Sequence, residues 1–138
     1  MSTEKRHYEA DRWLSQAHSD VEAAELSARG GSFEWSCFQA QQAAEKALKA
    51  YWLAGGHDPW GHSLLRLIRE HPEEAPARTL QRFAEYASTL DQYYIPTRYP
   101  NGLPDLTPHE VYTEKQATAA ISSAREIITG ISELLMKL

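Results

Sequence analysis

Apolar residues recur every three or four positions along most of this chain, which is the spacing of one face of an α-helix. Between residues 11 and 29 the repeat consists of Trp13, Ala17, Val21, Ala24 and Ala28. The pair Gly30-Gly31 then ends this helix, because glycine enters the left-handed conformation of a helix C-terminus at low cost. Ser32 follows and can cap a second helix.

The second predicted helix covers residues 33–54, "FEWSCFQAQQAAEKALKAYWLA". This segment is rich in strong helix formers and contains neither glycine nor proline. Two neighbouring stripes run along it, Phe38, Gln41, Glu45, Leu48 and Trp52 on the first and Gln42, Lys46, Lys49 and Leu53 on the second. Gly55-Gly56 ends the helix.

The remaining pattern predicts three more helices. A short one begins at Ser63 and is closed by Pro72. A longer one runs from about residue 77 to 91 or 92, with Leu80, Phe83, Ala84, Ala87 and Leu90 on its apolar face. The last helix runs from about residue 108 or 109 to 137, with Thr107 as its cap and Pro108 in the first helical position. Its apolar face consists of Ala117, Ala120 or Ile121, Ala124, Ile128, Ile131 and Leu135.

No segment alternates apolar and polar residues over the length of a strand. The pattern therefore predicts an all-α protein, an antiparallel up-and-down bundle of four long helices plus one short helix.

The longest irregular connection is "YYIPTRYPNGLPDLTP", residues 93–108, which holds four of the seven prolines and three of the seven tyrosines. Prolines fix φ, so this loop can be stiff without being helical. Loops of this length are uncommon in compact domains and often carry function. We therefore treat it as the first candidate for a site.

Composition limits the class of protein. With 138 residues, of which 42% are hydrophobic and 24% charged, we expect one folded domain spanning residues 1–138. A net charge of −5 argues against binding long duplexes, whose affinity comes from many basic contacts to phosphate.

The single cysteine, Cys37, excludes an internal disulfide and suits a reducing compartment. The first residues contain no apolar stretch typical of a signal sequence, and no run of about eighteen apolar residues occurs. We therefore expect a cytoplasmic protein without a membrane segment.

Arg98 is the leading candidate for binding chemistry, because a guanidinium offers a planar fork of donors suited to phosphate. Tyr93, Tyr94 and Tyr99 surround it in sequence and can supply faces for a nucleobase. The alternative is structural, with Arg98 paired to Asp91 or Asp105 and the tyrosines fastening the loop to the bundle.

Polar residues on the second predicted helix are the next candidates. Lys46 and Lys49 can add positive charge beside Arg98 if the two segments meet, although Glu45 lies four residues before Lys49, as in an ordinary ion pair. Gln41, Gln42 and Glu45 lie among alanines, so they either hydrogen-bond across the bundle, do so across a dimer interface, or line a pocket.

The histidine-rich turn "HDPWGH" contains His57, Asp58 and His62, whose spacing matches no common metal site. We expect His62 to hydrogen-bond the first turn of the next helix, and we predict neither a metal nor a cofactor. The sequence also contains no phosphate-loop, hydrolase-elbow or zincin motif.

Four segments together resemble the HEPN family, helical domains named for higher-eukaryote and prokaryote nucleotide binding. They are "AQQAAEKALKAYWLAGG", "GHSLLRLI", "YYIPTRYP" and the alanine-spaced C-terminal helix, and the resemblance extends from about Tyr8 to Leu138. It implies a bundle of four or five helices, frequently a homodimer, often encoded beside a minimal nucleotidyltransferase. Some members are metal-independent ribonucleases with an Arg-x4-6-His motif, in which the histidine performs acid–base chemistry and the arginine stabilises phosphate charge.

The chain departs from that motif. The positions five to seven residues after Arg98 are Leu103, Pro104 and Asp105, and the next histidine, His109, lies eleven residues on. Two other pairs have a matching spacing, Arg12 with His18 and Arg66 with His71, but they lie in other predicted helices.

We therefore assign no catalytic residue and lean against an enzyme. The resemblance implies a homodimeric nucleotide-binding module that acts with a nucleotidyltransferase partner. Two alternatives stay open: a toxin-like ribonuclease with RNA as its substrate, and an assembly module without a small ligand.

Overall fold

The computed structural model describes residues 2–138, and no strand occurs among them. Seven α-helices follow one another along this part of the chain: α1 Thr3–Arg29, α2 Phe33–Ala54, α3 Leu64–Arg69, α4 Glu74–Leu80, α5 Ala84–Asp91, α6 Pro108–Val111 and α7 Glu114–Met136. Short 3-10 turns lie at Gln81–Phe83 and Pro100–Gly102. The predicted all-α bundle is confirmed.

Helices α1 and α2 form an antiparallel hairpin around the Gly30-Gly31 turn. Ser36 donates to the carbonyl of Ala24 over 2.8 Å, and further along α2 Lys46 pairs with Asp20, so rising numbers on α2 meet falling numbers on α1. Helix α7 packs against both, and α5 packs on α7 and α2 while α3 packs on α5. The α1–α2–α7 layer is thus the body of the bundle, with α3–α5 along one side.

Alanine dominates the contact surfaces of the three long helices, because its small side chain lets helix backbones approach closely. On these helices the fully buried alanines are Ala17 and Ala24 on α1, Ala40, Ala43, Ala44, Ala47 and Ala50 on α2, and Ala117, Ala120 and Ala124 on α7. Larger side chains fill the space toward the shorter helices, namely Leu48, Leu64, Leu67, Ile68, Leu80, Leu90, Ile127 and Ile131. The predicted apolar faces are therefore the core faces.

The predicted start of α1 differs from the observed one because of a local hydrogen bond. Helix α1 begins at Thr3, since Ser2 accepts from the backbone N–H of Lys5 over 3.1 Å and caps an earlier start than the apolar repeat indicates. Ser32 occupies the cap position of α2, but its side chain makes no capping hydrogen bond.

The last two predicted helices are each divided. A 3-10 turn at Gln81–Phe83 separates α4 from α5. At the C-terminal end, Thr107 caps α6 and Thr113 caps α7, each with a reciprocal capping box, so the chain restarts its helix at Thr113.

None of the helices within residues 2–138 combines the length and apolar character needed to cross a membrane.

Candidate functional site

The segment between α5 and α6, residues 92–107, is called here the Arg98 loop. Thr97 lies buried in its middle, and its hydroxyl donates to the carbonyl of Tyr93 over 2.6 Å. Gly102 packs against Pro96, where an added Cβ would lie 3.3 Å from the proline Cα. The loop is therefore folded upon itself, as its prolines suggest.

The guanidinium of Arg98 is enclosed by aromatic rings. Its Cζ lies 4.4 Å from the ring centre of Phe38, 4.6 Å from that of Tyr94 and 5.2 Å from that of Tyr99. The Nε group donates to the carbonyl of Tyr94 over 2.9 Å, which fixes the plane of the group. Its two terminal nitrogens form no hydrogen bond or ion pair with any other group in residues 2–138.

The structural alternative for Arg98, an ion pair with Asp91 or Asp105, does not occur. Asp91 instead caps α3: its carboxylate accepts from the Ser63 hydroxyl over 2.8 Å and from the backbone N–H groups of Leu64 and Leu65 over 2.6 and 3.2 Å. Asp105 occupies a left-handed conformation with φ of 63° in the loop. The arginine thus has aromatic faces around it and no internal counter-charge.

A stacked column extends from Arg98 to the turn before α3. The ring of His62 lies parallel to that of Tyr94, with centres 4.5 Å apart and an interplanar angle of 15°. Tyr94 in turn covers Arg98, and Phe38 on α2 covers it from another side. Residues of α2 and of the Arg98 loop therefore surround the arginine, and the turn before α3 contributes His62, which stacks on Tyr94.

The column rests on a buried polar network on α2. Glu45, 5% exposed, accepts from Gln41 over 3.2 Å and from Lys49 over 3.1 Å. Gln41 also donates to the carbonyl of His62 over 3.1 Å, and its own carbonyl accepts from Gln42 over 2.8 Å. These predicted polar residues are thus satisfied within the chain, where they hold His62 beneath Tyr94.

The two lysines are committed elsewhere. Lys46 pairs with Asp20 on α1. Lys49 is buried against Glu45, and its ammonium lies 5.9 Å from the ring centre of Trp13. Because a carboxylate balances each lysine charge, Lys46 and Lys49 do not form the predicted cationic cluster with Arg98. Tyr94 and Tyr99, by contrast, do lie beside Arg98.

The pairs that match the ribonuclease spacing do not form joint sites. Arg12 pairs with Glu9, and Arg66 pairs with Glu70. His71 is buried in another corner, with its ring centre 5.3 Å from that of Trp52. His57, of the histidine-rich turn, binds Glu73 over 3.0 Å.

One histidine that the spacing excluded, His109, contacts α2 one helical turn before Phe38. His109, in the first turn of α6, places Nδ1 2.8 Å from the carboxylate of Glu34 on α2. The Glu34 side chain is only 8% exposed, whereas that of His109 is 68% exposed. Glu34 precedes Phe38 by one helical turn, so the two residues lie on the same face of α2. This spacing is the signal in the sequence that places Glu34 on the helix face that carries Phe38.

Neighbouring groups around Glu34 are held neutral. Burial, together with the nearby charge of Glu34, raises the pKa of the Cys37 thiol to about 12. Burial also raises the pKa of Tyr93 and that of Tyr112, whose rings meet edge to face. Arg98 and the exposed imidazoles of His62 and His109 are thus the groups here that can contact an anion, and each imidazole has a buried carboxylate beside it, Glu45 and Glu34 respectively.

Comparison with known proteins identifies the fold. The HEPN domain profile matches residues 10–134. The protein TT1696 from Thermus thermophilus is 41% identical, with a TM-score of 0.82 over 90% of this chain and 96% of that one. ST0689, an archaeal HEPN homologue, is 32% identical, with a TM-score of 0.75 over 91% of this chain and 97% of that one.

A HEPN domain protein from Thermotoga maritima, tm0613, is 28% identical, with a TM-score of 0.68 over 92% of this chain and 99% of that one. A search of curated proteins found no match. The profile match spans most of the chain, and the first two structures exceed 30% identity over nearly its full length. The chain therefore belongs to the HEPN domain family.

Proposed function

We propose that this HEPN domain binds a nucleotide through the free edge of the Arg98 guanidinium. The observation that carries the proposal is an arginine whose Cζ lies 4.4 and 4.6 Å from the ring centres of Phe38 and Tyr94 and whose terminal N–H groups meet no carboxylate of residues 2–138. Arg98 is half-buried, and its terminal N–H groups have no partner within residues 2–138, so they are free to donate to an incoming anion.

The geometry suits an oxyanion such as a phosphate group. The rings and the Tyr94 carbonyl fix the guanidinium plane, so both terminal nitrogens lie at one edge and can donate in parallel to two phosphate oxygens. Tyr99 is 49% exposed beside this edge and offers a face on which a base can stack. A nucleotide carries both groups.

Isothermal titration with ATP, GTP and AMP tests the proposal. Arg98→Lys keeps the charge but loses the planar fork, so we expect nucleotide affinity to fall about tenfold or more. Arg78→Lys, a surface arginine on α4 paired with Glu74, is the matched control and should bind as the wild type does. Absence of heat and of NMR shift changes near Arg98 at millimolar nucleotide would contradict nucleotide binding.

We further propose that the chain is a homodimer that acts with a nucleotidyltransferase partner. Large apolar side chains are exposed on or beside the Arg98 loop, namely Trp35, Ile95, Tyr99 and Leu106. Tryptophan, tyrosine and arginine are the residues most enriched at interface hot spots. Light scattering at micromolar concentration should give twice the mass of the chain, and a monomer would refute the dimer.

The assembly alternative makes a different prediction for the same arginine. If the Arg98 loop is only an interface, Arg98→Ala should dissociate the oligomer and leave nucleotide titrations unchanged from wild type.

Metal-independent RNA cleavage is a second candidate, favoured by His109. A buried carboxylate bound to Nδ1 of an exposed imidazole is the arrangement that orients a general base. RNA incubated with the protein and a chelator should then be cut, with the activity lost in both His109→Gln and Arg98→Lys. Intact RNA with the wild type would remove this candidate.

A further inference from the structure

Tyr94 is the residue through which the turn before α3 reaches Arg98. Its ring centre lies 4.6 Å from the guanidinium Cζ, and its backbone carbonyl accepts from the Nε–H group over 2.9 Å. The closest aromatic ring to that of Tyr94 within residues 2–138 is His62, at 4.5 Å and 15°, whereas Phe38 lies at 6.2 Å and 40°. Tyr94 is only partly buried, so the orientation of its ring depends on these neighbours.

His62 is held by α2 at both its backbone and its ring. Gln41 donates to the His62 carbonyl over 3.1 Å, and a carboxylate oxygen of Glu45 lies 3.4 Å from Nδ1 of the imidazole. Gln41 is fully buried and Glu45 nearly so, and Lys49 also donates to the Glu45 carboxylate. Buried side chains that bind one another in this way have little freedom to move. The ring of His62 is therefore fixed relative to α2.

The exposure of His62 argues against a role in core packing. Its side chain is 57% exposed, so its ring adds little to the burial of apolar surface. Two buried polar residues of α2 nevertheless bind it. Burying polar groups requires desolvation, and what their hydrogen bonds supply is direction. In this site that direction places one flat ring against Tyr94.

We infer that His62 is a positioning residue for the anion site: through the ring of Tyr94 it holds the Arg98 guanidinium in its binding orientation. Gln41 and Glu45 act one step further back, because they fix His62. The inference rests on the proposed nucleotide binding for its ligand, but the orientation of Arg98 is measurable with no nucleotide present.

Two substitutions separate the ring of His62 from its polarity. His62→Leu and His62→Phe both remove the imidazole and its contact with Glu45, and neither new side chain is charged. Only phenylalanine keeps a flat ring that can stack on Tyr94. Because the His62 side chain is exposed, both variants should fold, which circular dichroism checks. A difference between the two variants therefore reports the stacked ring.

The first readout is the Nε–H resonance of Arg98 in proton–nitrogen NMR spectra, identified by its loss in Arg98→Lys. In the wild type the surrounding rings and the Tyr94 carbonyl should displace it from the resonances of exposed arginines. His62→Leu should move it toward those resonances, and His62→Phe should leave it near its original position. His18→Leu, at an exposed histidine of α1, is the control and should not move it.

The second readout is AMP affinity from isothermal titration. His62→Leu should weaken it by about three- to tenfold, as expected for the loss of one aromatic contact, and His62→Phe should stay within about twofold of the wild type. If His62 acts through Tyr94, then His62→Leu should weaken AMP binding no further in a Tyr94→Leu protein.

The outcomes separate this inference from the proposed function. An Arg98 resonance that stays in place in His62→Leu refutes the positioning role, and so does AMP affinity that is unchanged in that variant or falls equally in His62→Phe. Nucleotide binding at Arg98 stands in each of those cases. If the wild type binds no nucleotide, the proposed function fails, and the spectra alone decide whether His62 orients the guanidinium.

Discussion

Gly130 determines how closely α5 and its preceding turn approach α7. A Cβ added there would lie 2.3 Å from Cζ and 2.4 Å from Cε1 of Phe83, and 2.9 Å from a terminal nitrogen of Arg82. Phe83 is itself buried, so its ring has little room to move. A glycine inside a long helix is ordinarily unfavourable, and here the ring of Phe83 occupies the space that a side chain would need.

Gly130→Ala should therefore destabilise the protein, although alanine is the better helix former. The overlap with Phe83 costs about 1–3 kcal/mol, which exceeds the gain of about 0.5–1 kcal/mol in helix propensity. Urea unfolding measures the net loss, and Thr129→Ala, at the neighbouring exposed position on α7, should change stability by less than about 0.5 kcal/mol. A more stable Gly130→Ala protein would mean that Phe83 moves aside freely.

Single residues also show what sequence reasoning can and cannot find. Arg98 and its tyrosines can be identified because they are clustered within one proline-rich segment. His109 escapes the same reasoning because it lies eleven residues from Arg98, and its approach to Glu34 depends on the path of the loop between them. Contacts between residues distant in sequence follow from the folded path of the chain, which local spacing does not encode.

Among the elements, the short helix α3 depends on a residue outside itself. With six residues, from Leu64 to Arg69, it is too short to be stable alone. The Asp91 carboxylate at the end of α5 accepts from two of its first backbone N–H groups and from the Ser63 hydroxyl. The start of α3 is thus capped both by Ser63, whose hydroxyl accepts from the backbone N–H of Arg66 over 3.2 Å, and by Asp91 from across the fold. The sequence pattern predicts α3, but it does not show that Asp91 caps this helix rather than pairing with Arg98.

Asp91→Ala should cost about 2 kcal/mol in the free energy of unfolding, because it leaves partly buried N–H donors at the start of α3 without an acceptor. Asp91→Asn keeps one acceptor oxygen and should lose less. Thermal and urea denaturation measure both, with Ser88→Ala on the exposed side of α5 as the control. Equal stability of Asp91→Ala and wild type would show that α3 does not need this cap.

The helix boundaries also depend on particular residues at the helix ends. The segment 33–54 is predicted with the bounds that the structure has, because glycines flank an uninterrupted run of helix formers. The break between α6 and α7 is not predicted, because Thr113 and Gln116 form a second capping box within a continuous apolar repeat. Periodicity indicates which face is buried, whereas capping side chains mark where α1, α3, α6 and α7 start.

At the scale of the whole molecule, α2 joins the core to the site. Its alanine face, including Ala40, Ala44 and Ala47, packs in the bundle, while its other face carries Phe38 and the Gln41–Glu45 network beneath the Arg98 loop. The bundle could be predicted from periodicity alone. The site could be predicted only in part, since it is assembled from three segments that meet on α2.

The stability of the bundle also depends on a histidine far from this site. His71 is buried between the ends of α2 and α4, where it packs against Tyr51 and Trp52 and its Nδ1 accepts from the backbone N–H of Glu73 over 3.1 Å. Burial lowers the pKa of His71, with the nearby His57 acting in the same direction. Protonation would add a charge to this buried corner, which the nearby Glu73 offsets only in part, and would remove its hydrogen-bond acceptor.

The lowered pKa of His71 predicts that the folded protein loses stability as pH falls below about 6.5, the usual pKa of histidine in an unfolded chain. Below that pH the unfolded state binds a proton at His71 more readily than the folded state does, so protonation favours unfolding. Above that pH His71 is neutral in both states, and its contribution to the free energy of unfolding is fully present. Melting temperatures between pH 7.5 and 5.5 should fall for the wild type. The melting temperature should fall less for His71→Asn, because the asparagine oxygen can replace Nδ1 as hydrogen-bond acceptor and does not titrate. The control variant His18→Asn, on the exposed face of α1, should behave like the wild type. An equal slope in His71→Asn and wild type would place the acid sensitivity in other groups.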